Sequence, residues 1–221
     1  MDKSANKQSK KKDLREELKK AFIEEVLTHE HPPKSVFAFA KKCKVTEEDF
    51  YQHFNSLPTL QKTIWLDWFN EVVTVLDKDK NYHEYALREK ILSLYFTWFE
   101  KIKSNRSYAL YSFERAKLEL DPAFLIKMKA AFHEYVDSLI TQGKENGEVA
   151  ERPFSNQYGR AFWVQFLFVS KFWLNDESEN FEKTDAAIEK SVNLAFDLIG
   201  SGPIDRLVDF AKFLYQNQKP F

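Results

Sequence analysis

An all-α fold is what this sequence predicts, and three observations carry the prediction. Leu, Lys, Glu and Ala are abundant, whereas only 5 Gly and 7 Pro punctuate 221 residues, too few for a chain of many tight β turns. Apolar residues recur along nearly the whole chain at the spacing of one helical face. Helix-starting residues stand just ahead of these stripes, as Thr46 and Asp121-Pro122 do. With 43% apolar residues, 21 of them Phe, the chain has ample material for a core.

The elements follow in order. Residues 1–12 read as a flexible basic arm. A first helix carries Leu14, Leu18, Ala21, Phe22 and Val26 and is stopped by Pro32-Pro33. A short helix holds Val36, Phe37 and Ala40. After a tight turn at Cys43 to Val45, Thr46 caps the next helix, with Asp49 three residues on completing a capping-box pair. That helix carries Phe50, Tyr51 and Phe54. A longer one, from about Leu57 to Leu76, places Leu60, Ile64, Trp68 and Val72 in register. The polar stretch Asp77 to Tyr82 marks a boundary, giving an arm (1–12), a three-helix module (13–76) and a helical body (77–221).

The body reads as helix after helix. Ile91, Leu94, Tyr95, Trp98, Phe99 and Ile102 form one stripe, and Tyr108, Leu110, Tyr111 and Phe113 form another. Asp121-Pro122 opens a helix bearing Leu125, Met128, Phe132, Tyr135, Val136 and Leu139, ended by Gly143 to Gly147. The segment from about Pro153 to Leu174 is apolar nearly all round and must be covered on several sides. Ser178 begins a helix with Ile188, Val192, Ala195, Phe196 and Ile199. A final helix carries Ile204, Leu207, Val208, Ala211 and Leu214.

Net charge is −1, but it is unevenly placed. Residues 1–44 hold 12 basic and 7 acidic side chains, a basic head on an acidic body, which points to a polyanion near the head. The alternative is a solvated tail. The lone Cys43 excludes an intrachain disulfide and fits a reducing cytoplasm. No leader-like apolar run and no bilayer-length apolar stretch is present, so membrane insertion is not expected.

The segment Lys34 to Leu60 carries a specific pattern: Ala40-x-x-Cys43-Lys44-Val45, then Thr46, then Phe50-Tyr51-x-His53-Phe54-x-Ser56 and Leu60. It resembles the helix-turn-helix module that opens TetR-family transcriptional regulators. Gln142 to Val149 and Glu179 to Val192 are similar to segments of that family's ligand-binding domain. The resemblance implies an N-terminal three-helix helix-turn-helix module followed by a C-terminal helical bundle. It implies double-stranded DNA, an apolar small-molecule effector and a homodimeric partner, with no cofactor.

In such a module the second short helix enters the major groove and the helix before it crosses the backbone. The resemblance thus assigns DNA contact to Lys34, Ser35, Thr46, Glu48, Tyr51, Gln52, His53 and Lys62. Tyr51 and His53 suit phosphates, Gln52 can read adenine, and a carboxylate such as Glu48 can accept from cytosine N4. Glu47, Glu48 and Asp49 nevertheless open the groove-facing helix, where the family more often has basic, small or hydroxyl-bearing residues. Acids there also complement the helix macrodipole. At position 44 the family usually has Gly, and a lysine with positive φ is expected to cost on the order of 1 kcal/mol.

Tyr95, Trp98, Phe99, Tyr108, Phe113, Met128, Phe132, Trp163 and Phe166 are candidates to line an apolar effector cavity, with plain core packing as the alternative. Phe168, Phe172, Val192 and Phe196 are candidates for an isologous dimer interface, with cover by the final helix as the alternative. His29-x-His31 has metal-ligand types but no third partner placed by spacing. No phosphate loop, nucleophile elbow or CxxC is present, so an enzyme is not expected. Two readings remain: a ligand-responsive regulator, favoured by the basic arm and Tyr51-x-His53, and a relative of that fold that binds a lipid or a partner instead of DNA, favoured by Glu47-Glu48-Asp49.

Overall fold

The computed structural model describes residues 2–116, 121–152 and 155–200, with side chains described from Asp13 onward. The final helix expected around Ile204 to Leu214 lies outside the described residues. The described elements are α1 (Asp2–His29), α2 (Val36–Lys42), α3 (Glu47–Tyr51), α4 (Leu57–Lys78), α5 (Leu87–Lys103), α6 (Arg106–Ala116), α7 (Ile126–Glu145), α8 (Tyr158–Leu174) and α9 (Glu182–Ile199), with short 3₁₀ turns before α5, α7, α8 and α9. α1 begins at Asp2, so the backbone of the segment expected as an arm continues that helix. The body helices start a few residues later than the sequence places them, because single 3₁₀ turns precede α7, α8 and α9.

The chain forms two compact units. The first is Met1–Asn70 with Ile102–Lys129, and the second is Glu71–Lys101 with Ala130–Phe221. Residues 102–129, placed with the body on sequence grounds, thus cluster with the N-terminal module.

In the first unit a chain of rings joins the helices. Phe22 of α1 meets Phe39 of α2 edge-on at 6.1 Å, and Phe39 meets Phe50 of α3 at 6.1 Å. All three are buried, and a fully buried Phe contributes about 1.5–3 kcal/mol. Phe37, expected on the inner face of α2, is instead 61% exposed. Its neighbour Phe39 occupies the inside, because a seven-residue helix can bury only one narrow stripe. A second cluster surrounds Trp65 of α4, which stacks on Tyr108 at 6.1 Å and touches Phe113 and Phe124 at 6.0 and 5.0 Å.

In the second unit Phe166 of α8 is the hub. Tyr95, Trp98 and Phe99 of α5, Phe132 of α7 and Trp163 of α8 all lie within 5.0–6.3 Å of its ring centre. The buried Tyr95 hydroxyl donates to the Phe162 carbonyl at 3.1 Å. α9 is capped from a distance: the Asp176 carboxylate accepts from the amides and hydroxyls of Ser178 and Thr184 at 2.6–2.8 Å. Burial works against its ionisation, but those four donors outweigh it and hold the carboxyl well below the usual carboxylate range. Among the described residues, no helix is long and apolar enough to cross a membrane.

Candidate functional site

The helix-turn-helix is set by backbone chemistry at the α2–α3 turn. The amide of Val45 bonds to the Ala40 carbonyl at 3.0 Å and that of Lys44 to Lys41 at 3.2 Å. This paired closure needs a left-handed residue between helix and exit, and Lys44 supplies it with φ +58°. Thr46 then caps α3: its hydroxyl accepts from the Asp49 amide at 3.1 Å, and the Asp49 carboxylate accepts from the Thr46 amide at 3.0 Å. Ser35 does the same for α2, accepting from Ala38 at 3.1 Å.

Three ion pairs anchor the module. Arg15 and Lys19 of α1 both reach Asp67 of α4, at 2.6 and 2.8 Å. The Arg15 guanidinium also lies over the Phe54 ring at 5.5 Å. Lys42 pairs with Glu25 across α1 and α2. The Cys43 thiol, partly buried between them, is pushed up by desolvation and by the Glu25 charge, so it is not an activated thiolate.

Of the candidate DNA-contact residues, Lys34, Glu48, Tyr51 and Gln52 are exposed, and His53 and Lys62 are half-buried. Tyr51 and Gln52 end α3 on its outer side. Ser35 and Thr46 are held in their helix caps, so their side chains act first on the fold. Glu47 and Glu48 are exposed, whereas Asp49 is turned back onto Thr46. Phe37 of α2 is exposed as well, although its apolarity reads as core in the sequence.

The candidate effector-lining residues fall into two groups. Tyr108, Phe113 and Met128 belong to the first unit, and Tyr95, Trp98, Phe99, Phe132, Trp163 and Phe166 to the second. All nine are buried. None of them lines the three hollows of about 240, 390 and 350 Å³ described below. Within each unit the rings pack on one another at centroid distances that aromatic pairs favour. A cavity of about 240 Å³ lies instead inside the first unit, walled by Phe22, Val26, Gln61, Tyr111, Ser112, Arg115 and Phe124, among others.

The candidate dimer residues divide. Phe168 is 62% exposed, Phe172 is also exposed, and Phe196 is half-buried. Val192 is 0% exposed and packs inside its own unit, which corrects its assignment. It shares the inner face of α9 with Ile188, four residues earlier, and Ile199, seven later. The outer face carries Leu194 and Leu198, which the sequence reading passed over, and α8 adds Val164. Between α8 and α9 runs an apolar groove of about 350 Å³ lined by Phe162, Phe168, Leu194, Ala195, Leu198 and Ile199, among others.

Among described residues no cluster of three or more potential metal ligands occurs. His29 bonds the Glu25 carbonyl within α1 and His31 the Pro32 carbonyl in the loop that follows.

No curated protein matches this sequence closely. The fold, however, is shared with solved regulators. A putative TetR-family transcription regulator from Shewanella sp. PV-4 superposes with a TM-score of 0.58 at 15% identity, over 85% of this chain and 98% of its own. A TetR transcriptional regulator from Nitrosomonas europaea gives 0.59 at 15%, over 82% and 97%. The fatty acid degradation regulator FadR from Bacillus halodurans gives 0.61 at 16%, over 82% and 94%. Residues 90–214 match the family model described as the tetracyclin repressor-like C-terminal domain. With that match spanning more than half the sequence behind a capped helix-turn-helix, the chain belongs to the TetR family of transcriptional regulators.

Proposed function

We propose that this protein is a homodimeric DNA-binding regulator whose affinity for an operator is set by a small effector with an apolar part. The observation that carries the reading is the α2–α3 turn. Its left-handed Lys44 and its reciprocal Thr46–Asp49 cap leave Tyr51 and Gln52 exposed at the end of α3. Lys34, exposed ahead of α2, and Lys62, on the first turns of α4, are available to flanking phosphates.

Two copies are needed because one short helix reads only a half-site, and paired half-sites mirror a two-fold protein. The exposed stripe of Val164, Phe168, Leu194 and Leu198 is the surface on which we place the second copy, so that α8 and α9 of each protomer pack together. The first unit's cavity is where we place the effector. It lies against α1, α4 and α6, so an occupant preferring one arrangement of these helices would bias DNA binding.

A second reading rests on Glu47 and Glu48, whose exposed carboxylates at the front of α3 oppose a polyanion. In that case the fold serves ligand or partner binding alone. Selection from random and genomic double-stranded DNA across a salt series separates the two. Saturable, sequence-selective binding that weakens steeply with salt supports the regulator. Failure to select any sequence, even at low salt, overturns it in favour of the second reading.

A further inference from the structure

The cavity in the first unit has an uneven chemistry that narrows what it holds. Phe22 and Val26 of α1, Tyr111 of α6 and Phe124 supply an apolar wall. Gln61 and Ser112 supply polar atoms, although the Ser112 hydroxyl already donates to the Tyr108 carbonyl at 2.8 Å. Among the described residues, Arg115 is the one charged side chain in the lining. A second hollow of about 390 Å³ shares Val26, Tyr111 and Arg115 with the first but also carries Glu30 and Glu114. Arg115 thus faces two carboxylates in the second hollow and, among the described residues, none in the first, so an anion is favoured in the first.

Arg115 is also well placed to report occupancy. Its guanidinium lies over the Tyr111 ring at 5.2 Å and donates to the Glu30 carbonyl at 3.2 Å. Glu30 is the left-handed residue that ends α1, with φ +56° and its amide on the Val26 carbonyl at 2.9 Å. A cation on a carbonyl at a helix C-terminus is favourable, so Arg115 ties α6 to the end of α1. A carboxylate offers the same guanidinium a stronger, two-toothed partner than a lone carbonyl.

We propose that the cavity binds a small monocarboxylate with an aromatic or short aliphatic body. Its apolar part lies against Phe22, Val26 and Phe124, and its carboxylate on Arg115 in place of the Glu30 carbonyl. The volume sets the scale: at about 30 Å³ per water-sized group it holds roughly eight such groups, so a benzoate-sized molecule fits and a long acyl chain does not. The ligand thereby releases the C-terminal end of α1, the helix whose Arg15 and Lys19 hold Asp67 of α4. This inference deepens the effector part of the proposed function and rests on it.

The test is calorimetric titration of the full chain with benzoate, and with benzyl alcohol and benzylamine as probes of the same body without the negative charge. Benzoate is expected to bind saturably and at least tenfold more tightly than either. Arg115→Gln should remove that difference. Ala116→Phe, which fills the cavity and keeps the cation, should abolish benzoate binding, with thermal melting confirming that both variants are folded. Equal binding of acid and alcohol, undiminished benzoate binding in Arg115→Gln, or no benzoate binding at all would overturn the proposal. DNA selection run on the same preparation keeps the two ideas separable. Selective DNA binding without benzoate binding sinks this site alone, and benzoate binding without selective DNA binding sinks the regulator reading alone.

Discussion

Thr46 and Asp49 close each other's hydrogen bonds at the start of α3, hydroxyl to amide at 3.1 Å and amide to carboxylate at 3.0 Å. One of the three acids that open α3 is thereby explained by the fold. Thr46→Ala is expected to lower stability by about 1 kcal/mol, as loss of an N-cap does. The Thr46 hydroxyl first, and its backbone amide second, hold the Asp49 carboxyl below its ordinary value. A group depressed in the folded state contributes stability that is present above its unfolded pKa of about 3.9 and is lost as pH falls through the folded one. In a carbon-detected NMR titration, Asp49 should titrate at higher pH in Thr46→Ala than in the parent protein.

Lys44 pays a conformational penalty that glycine avoids. A side chain in the left-handed region costs about 1–2 kcal/mol, part of which glycine returns through its greater freedom when unfolded. Lys44→Gly should therefore raise stability by roughly 0.5–1 kcal/mol, seen as a higher urea midpoint at unchanged slope. A decrease would mean that the lysine makes a contact that outweighs its backbone strain.

Asp67 carries two cations. Lys19 is buried, and taking away its carboxylate leaves a desolvated ammonium without that partner. Asp67→Asn should cost roughly 1.5–3 kcal/mol, the range of hydrogen bonds to charged groups. Because Arg15 and Lys19 share the same carboxylate, their separate replacements by Met should not add. A double-mutant cycle with no coupling would show that the pairs are independent.

Glu47 and Glu48 should weaken any DNA complex. Glu48→Gln is expected to tighten binding to random duplex at low salt and leave melting nearly unchanged, since the side chain is exposed. Glu48→Lys, adding a cation near the phosphates, should steepen the salt slope by about 1. If Glu48→Gln instead abolishes selection of a cytosine-containing site, the carboxylate is a base reader.

The outer stripe of α8 and α9 should control assembly. Phe168→Glu and Leu194→Glu replace side chains that are exposed in the single chain, at 62% and 59%. Sedimentation velocity is expected to show the parent as a dimer and each variant as a monomer with a near-parental far-UV spectrum. Val192→Ala acts differently, because its side chain is enclosed by its own unit. It should lower stability by about 0.5–2 kcal/mol without changing the mass of the assembly. A parent that sediments as a monomer would remove the dimer from the proposed function.

Local chemistry is what the sequence alone determined. The capping pair at Thr46 and Asp49, the left-handed position at Lys44 and the proline stop after α1 were legible because each depends on residues within a few positions of one another. The helix order was legible for the same reason, since a repeat of 3.6 residues is written in the chain itself. Which face of each helix turns inward was decided by tertiary structure. Phe37 and Phe39 are equally apolar, yet only Phe39 finds the rings of Phe22 and Phe50. Val192 and Leu194 are two residues apart on one helix, and packing sends the first inside and leaves the second outside. The aromatic residues expected around an effector are buried, and their ring partners come from distant helices, as Phe166 of α8 meets Tyr95 of α5 and Phe132 of α7. The cavity formed where Arg115, Gln61 and Phe22 converge from three separate helices, and no local pattern records that meeting.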